Sequence, residues 1–285
     1  MRRGGGVSLL CAAGGMMLAT LAASLSPALI MKSGAVLGTG VVAEMGAAVA
    51  APRQQATRSG DAVKVPQLNI GEMLFPVYSK APEGGGFWPG VVLVHDEWGL
   101  SHDFIRMADA LAAQGFAVFA PEINGGKIAR DADKARELGV LMDRETAAAR
   151  VAALVEYVKS ESVVGDHRVA IVGLGAGGEV AWQAAMRSPE ASGLVVAGAA
   201  PVTDTEALRR IACPILALFG GQDAASPAGK VKAFETAAGA ANRTLEVKVY
   251  EEAGRSFMTE GTPAFNASAS GDAWSLIVSF LQARL

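Results

Sequence analysis

Two cysteines in 285 residues, Cys11 and Cys213, rule out a disulfide framework. Cys11 lies in an N-terminal stretch that reads as removable, so a mature chain would hold one thiol and no internal bridge. Its stability must then come from a packed core. Cys213 sits in IACPILALF, just ahead of an apolar run, and reads as a packed structural thiol. Aromatic residues make up only 6% of the chain, too few for a base-stacking platform. Positive charge is not in excess either. The formal net charge is −3, with no basic block to neutralise a run of phosphates, which argues against a nucleic-acid partner. No His, Cys or acidic cluster has metal-ligand spacing, so neither a metal nor a cofactor is expected. There is no internal repeat.

What is present is apolar sequence, 51% of the chain, enough for one substantial core or two small ones. The first fifty residues differ from the rest. Arg2 and Arg3 precede an apolar stretch from Val7 to Met31, and Ala48 and Ala50 give an A-x-A pattern before Ala51–Pro52. This reads as an export signal and implies a periplasmic or extracellular protein. Met31 is an alternative start, and an uncleaved membrane anchor over 7–31 is long enough to span a bilayer. Residues 51–66, APRQQATRSGDAVKVP, read as a linker.

From 67 to 285 strand-like and helix-like patterns alternate. PGVVLVH (89–95), FAVFAPEI (116–123), RVAIVGLG (168–175), GLVVAGAA (193–200), PILALFGG (214–221) and TLEVKVYEE (244–252) are short apolar runs. They read as strands buried on both sheet faces. Helical spacing links Phe104, Met107, Ala108 and Leu111. It links Leu141, Ala149, Val151, Leu154, Val155 and Val158 into a longer face, and Trp274, Ile277, Val278 and Leu281 into a last one. The alternation predicts an α/β fold, a mostly parallel sheet with helices on both faces.

The turn VAIVGLGAGGEVAWQAA (169–185) has two readings. Gly173, Gly175 and Gly178 spell the dinucleotide-binding G-x-G-x-x-G. That site needs an acid about 20 residues on, at the end of the next strand, and 195–200 offer none. Purely structural glycines are the bland alternative. The same residues also spell a nucleophile elbow with glycine at its centre.

Five blocks in order carry a family resemblance: PGVVLVHDEWGL (89–100), ADALAAQGFAVFAPEI (108–123), RVAIVGLGAGGEVA (168–181), PILALFGGQDAASP (214–227) and YEEAGRSFM (250–258), followed by GDAWSLIVSFLQARL (271–285). Together they resemble the dienelactone hydrolase family of α/β-hydrolases, over essentially everything beyond residue 66. The resemblance implies an α/β-hydrolase fold acting on esters or lactones. It puts the family's Cys or Ser nucleophile at Gly175 and its histidine at Arg255. The acid falls on Asp223 and the oxyanion-loop glutamate on Asp96. Only the acid survives unchanged.

Acyl transfer by that route needs a nucleophile, a base and an orienting carboxylate. Glycine has no side chain to attack with, and arginine, with a pKa above about 12, accepts no proton at neutral pH. The expectation is therefore a catalytically degenerate relative that keeps a small-molecule pocket. The backbone N–H groups of Ala176 and Glu97 would point into an open concavity at Gly175, with Arg255 facing it, a fit for a small carboxylate or other anion. Pairing of Arg255 with Asp223 alone, as a plug, is the other reading. Trp98 would be either a ligand wall or a core aromatic. His95 reads as a hydrogen-bonded structural residue, His102 as a helix-start residue and His167 as a surface one. Asp96 and Glu97, being adjacent, would diverge if extended. Two further readings stay open: ester or lactone hydrolysis by a non-standard route through Asp96, Glu97 or His95, and a periplasmic interaction module.

Overall fold

Each of the six apolar runs forms a strand, and their uninterrupted hydrophobicity has a direct cause. β3 (Trp88–Val94) sends Val91 and Leu93 to one face of the sheet and Val92 and Val94 to the other, and both faces are covered. A computed structural model describes residues 66–70, 73–161 and 163–285. The export segment and membrane anchor expected within 1–50, and all but the last residue of the linker, lie outside the described residues.

The chain runs β1 (Gln67–Ile70), β2 (Met73–Lys80), β3, α1 (His102–Ala113), β4 (Ala117–Pro121), α2 (Ala132–Leu141), α3 (Arg144–Ser160), β5 (Val164–Leu174), α4 (Gly175–Ala185), β6 (Gly193–Ala197), α5 (Thr205–Arg209), β7 (Ile215–Gly220), α6 (Ala228–Ala240), β8 (Leu245–Tyr250) and α7 (Ala267–Arg284). The strands lie in the order β1-β2-β4-β3-β5-β6-β7-β8. Pairing is parallel from β4 to β8, and β1 and β2 add antiparallel strands at one end. One apolar cluster joins a sheet face to α3, α4 and α6, with Trp182, Phe219 and Phe234 at its centre. The other joins the opposite face to α1 and α7 through Phe104, Leu111, Ile277 and Leu281.

Two features depart from the sequence reading. β1 and β2 were not expected, because their half-exposed, mixed composition lacks a buried run. The long helical face starting at Leu141 is two helices. Asp143 breaks it by accepting the Thr146 N–H at 3.0 Å and so capping α3, and Leu141, ending α2, is 64% exposed.

Candidate functional site

Four segments meet at one edge of the sheet because each leaves the C-terminal end of a parallel strand, where open α/β sheets gather their functional residues. His95–Leu100 follows β3, the Gly175 turn follows β5, the Asp223 loop follows β7, and the Arg255–Thr259 loop follows β8.

The glycines of the turn are there for close packing. A Cβ on Gly173 would stand 2.5 Å from the Gly177 carbonyl oxygen, and one on Gly178 would stand 2.6 Å from Ala199 Cβ. Gly177 leaves no room between α4 and the His95 carbonyl. Tight packing between strand and helix accounts for these three glycines, as the structural reading has it. Gly175 has a different reason: at φ +51° it makes the left-handed bend between β5 and α4.

The open concavity expected at Gly175 is not there. A Cβ at 175 would lie 2.5 Å from Glu97 Oε2, so the Glu97 carboxylate takes the space that a side chain at 175 would fill. The Ala176 N–H, expected free, donates to that same oxygen at 2.9 Å. Glu97 Oε1 accepts from the Ser256 hydroxyl at 3.2 Å and lies 3.3 Å from Arg255 Nε. The positive end of α4, buried here, is thus met by the protein's own anion.

Arg255 does face this place, but its pairing with Asp223 alone is overturned. Its one hydrogen bond goes to Glu179 Oε1 at 2.6 Å, and Asp223 Oδ2 is 4.0 Å from Nη1. Glu179, on α4, also binds Arg144 Nε at 2.6 Å. Burial would push the Glu179 carboxyl up, but the hydrogen bond and charge of Arg255, with Arg144 behind, hold it below the usual range. Burial would likewise lower Arg255, and the charges of Glu97, Glu179 and Asp223 reverse that, so the guanidinium is more firmly protonated than usual. Asp223 is otherwise engaged in its own loop, accepting from the Ala225 N–H at 2.9 Å and from the Ser226 hydroxyl at 3.4 Å.

Asp96 and Glu97 do not diverge. The segment is a tight turn, closed by Gly99 N–H to Asp96 carbonyl, and it swings both side chains onto the Ser256–Thr259 loop. Asp96, 1% exposed, accepts from the Thr259 hydroxyl and from the Trp98 N–H at 3.0 Å. Burial, then the charge of Glu97, pushes its carboxyl up to about 7. His95 is buried with both ring nitrogens used: Nδ1–H donates to the Asp96 carbonyl at 2.7 Å and Nε2 accepts from the Ile123 N–H at 3.2 Å. His102 opens α1 and is exposed, while Ser101 supplies the cap. His167 is exposed at the far end of β5. Cys213 is buried, and burial raises its thiol to about 11, which makes it inert.

Above the network lies a cavity of about 530 Å³, bordered by Glu97, Glu179, Asp223 and Arg255 and walled by Trp98 and α2. Trp98 lines the cavity while packing on Ala129, Ala135 and Leu138. Among the described residues no group of His, Cys, Asp and Glu is placed to hold a metal ion. Sequence reasoning missed Glu179, Arg144, Ser256 and Thr259. A lone acid in the apolar GAGGEVAWQAA was a usable signal for Glu179. The others acquire meaning only from their partners in space.

The sequence model of the dienelactone hydrolase family matches residues 75–285. A Methylorubrum extorquens protein, provisionally named a carboxymethylenebutenolidase, is 25% identical over 233 residues, covering 74% of this chain and 77% of its own. A protein of Escherichia coli with the same provisional name is 28% identical over 225 residues, covering 73% and 82%. Among solved structures, a dienelactone hydrolase-like promiscuous phosphotriesterase from metagenomic libraries superimposes with a TM-score of 0.67 at 21% identity, over 76% of this chain and 96% of that one.

Proposed function

Since the chain belongs to the dienelactone hydrolase family, we propose that it is a catalytically degenerate member, exported from the cytoplasm, that keeps its cavity as a binding site for a small molecule. One observation carries the loss of chemistry: Glu97 Oε2 stands 2.5 Å from where the nucleophile's Cβ would be and accepts the Ala176 N–H. That N–H would otherwise stabilise the oxyanion of an acyl-transfer intermediate. Attacking atom, base and one oxyanion donor are then all missing together. Losing the nucleophile or the base costs on the order of 10⁴–10⁶ in rate, and a further loss adds little because they act as a unit.

A second reading, hydrolysis by a non-standard route, has one observation in its favour. Glu97 holds a carboxylate oxygen at the elbow, and burial and the charge of Glu97 raise Asp96 beside it to about 7, a value suited to a general acid or base near neutral pH. Against it, Asp96 is enclosed by Thr259 and Trp98, and His95 has no nitrogen to spare.

Short-chain aryl esters offered to protein purified from fractionated cells discriminate the two. We expect no release above buffer, an unchanged result in Asp223→Ala, and recovery outside the cytoplasm with a mass that begins at Ala51. Turnover abolished by Glu97→Gln or Asp96→Asn would establish the second reading instead.

A further inference from the structure

The charge around the cavity has a sign, and it is the wrong one for an anion. Two guanidinium groups, Arg144 and Arg255, meet three carboxylates, Glu97, Glu179 and Asp223, for a net charge of −1. Arg136, also at the wall, is matched by Asp133 at 2.7 Å. The half positive charge at the N-terminus of α4 does not reverse the balance, because Glu97 already sits on it. The Ala176 N–H, which would help hold a ligand carboxylate, is likewise spent on Glu97.

One donor is not spent. Among the described residues Arg255 Nη1 has no hydrogen-bond partner; it stands 4.0 Å from Asp223 Oδ2, and the side chain, 26% exposed, lines the cavity. A guanidinium bonded on one side can still give an N–H to an uncharged acceptor such as a carbonyl, ether or hydroxyl oxygen. Beyond it the wall is apolar: Trp98, Ala135, Val140, Ala225, Pro263 and Ala264. Val140, on the rim, is 75% exposed, and Leu141 follows it in the chain, so the apolar surface continues outward past the mouth.

From these observations we infer that the ligand is an uncharged molecule with a hydrogen-bond acceptor on an apolar body, its acceptor at Arg255 and its body along Trp98 and Val140. This rests on the reading of the site as a binding cavity, and it replaces the carboxylate expected from sequence. The volume, about 530 Å³, is in the range of small-molecule sites.

Matched pairs test it. Titration calorimetry of the full chain with methyl benzoate against benzoate, and methyl cinnamate against cinnamate, varies only the charge of the head. Each ester should bind at least tenfold more tightly than its acid. Trp98→Ala should weaken the ester by about tenfold, and Glu97→Gln, which removes one negative charge, should narrow the gap. Acids binding as tightly as the esters would overturn the inference and leave the binding cavity standing. No binding by any of the four would overturn both. Release of acid from a bound ester would uphold the ligand class and remove the claim of inactivity.

Discussion

At position 175 the backbone and the neighbours both disfavour a side chain. The φ of +51° strains any residue with a Cβ, and that Cβ would lie 2.5 Å from Glu97 Oε2 and 2.8 Å from Asp96 Cβ. A nucleophile placed there must first move Glu97. Gly175→Ala should therefore lower stability by about 1–3 kcal/mol. Truncating Glu97 should relieve part of that loss, so Gly175→Ala and Glu97→Ala should couple by about 1 kcal/mol in a double-mutant cycle followed by urea unfolding. Strictly additive effects would show that Glu97 does not fill the gap. Position 175 was legible from the elbow pattern, and so was the glycine at its centre. What fills the space beside it was not, because Glu97 is 78 residues away and its reach depends on a turn that the sequence alone did not reveal.

Among the elements, α2 is the one least tied to the body. Its buried side chains are Ala135 and Leu138, which join only Ala129 and Trp98 in a cluster separate from the two large ones, whereas α3 buries six residues in the main core. Segments with few buried apolar contacts open locally at lower free energy than the whole molecule. Amides of 132–141 should exchange with deuterium well before those of 144–160, and Leu138→Ala should speed the first group and leave the second unchanged. Equal protection of both helices would refute this. The six central strands were legible because burial on both faces demands continuous apolar sequence. The half-exposed pair β1–β2 and the α2–α3 break were not, since a single cap residue, Asp143, decides where one helix stops and the next begins.

Across the whole molecule the buried acids pull stability in opposite directions with pH. Asp96 is raised from 3.8 to about 7 by burial and by Glu97, so its contribution is complete at acid pH and is lost as pH rises from about 4 to about 7. Glu179 and Glu122 behave in the opposite sense. Burial raises each, but Arg255 for the first, and for the second the His95 ring 3.7 Å away and the Asn124 N–H at 2.8 Å, hold it below its usual value. Their contribution is present above the usual carboxylate range and is lost as pH falls through their lowered values. The melting temperature should therefore peak near about pH 5 and decline towards pH 8. Asp96→Asn should abolish that upper decline and leave the acid limb intact. A variant that keeps the full decline above pH 5 would place its origin elsewhere.

The order of blocks along the chain, the buried strands and the presence of glycine at 175 and arginine at 255 are properties of residue type and spacing, and the sequence determined them. Which carboxylate occupies the space beside Gly175, how Arg255 divides itself among three acids, and the sign of charge left in the cavity were decided by tertiary structure. The reason is geometric: these groups come from loops at the ends of separate strands, and ion pairing depends on distances of a few ångströms that sequence separation does not encode.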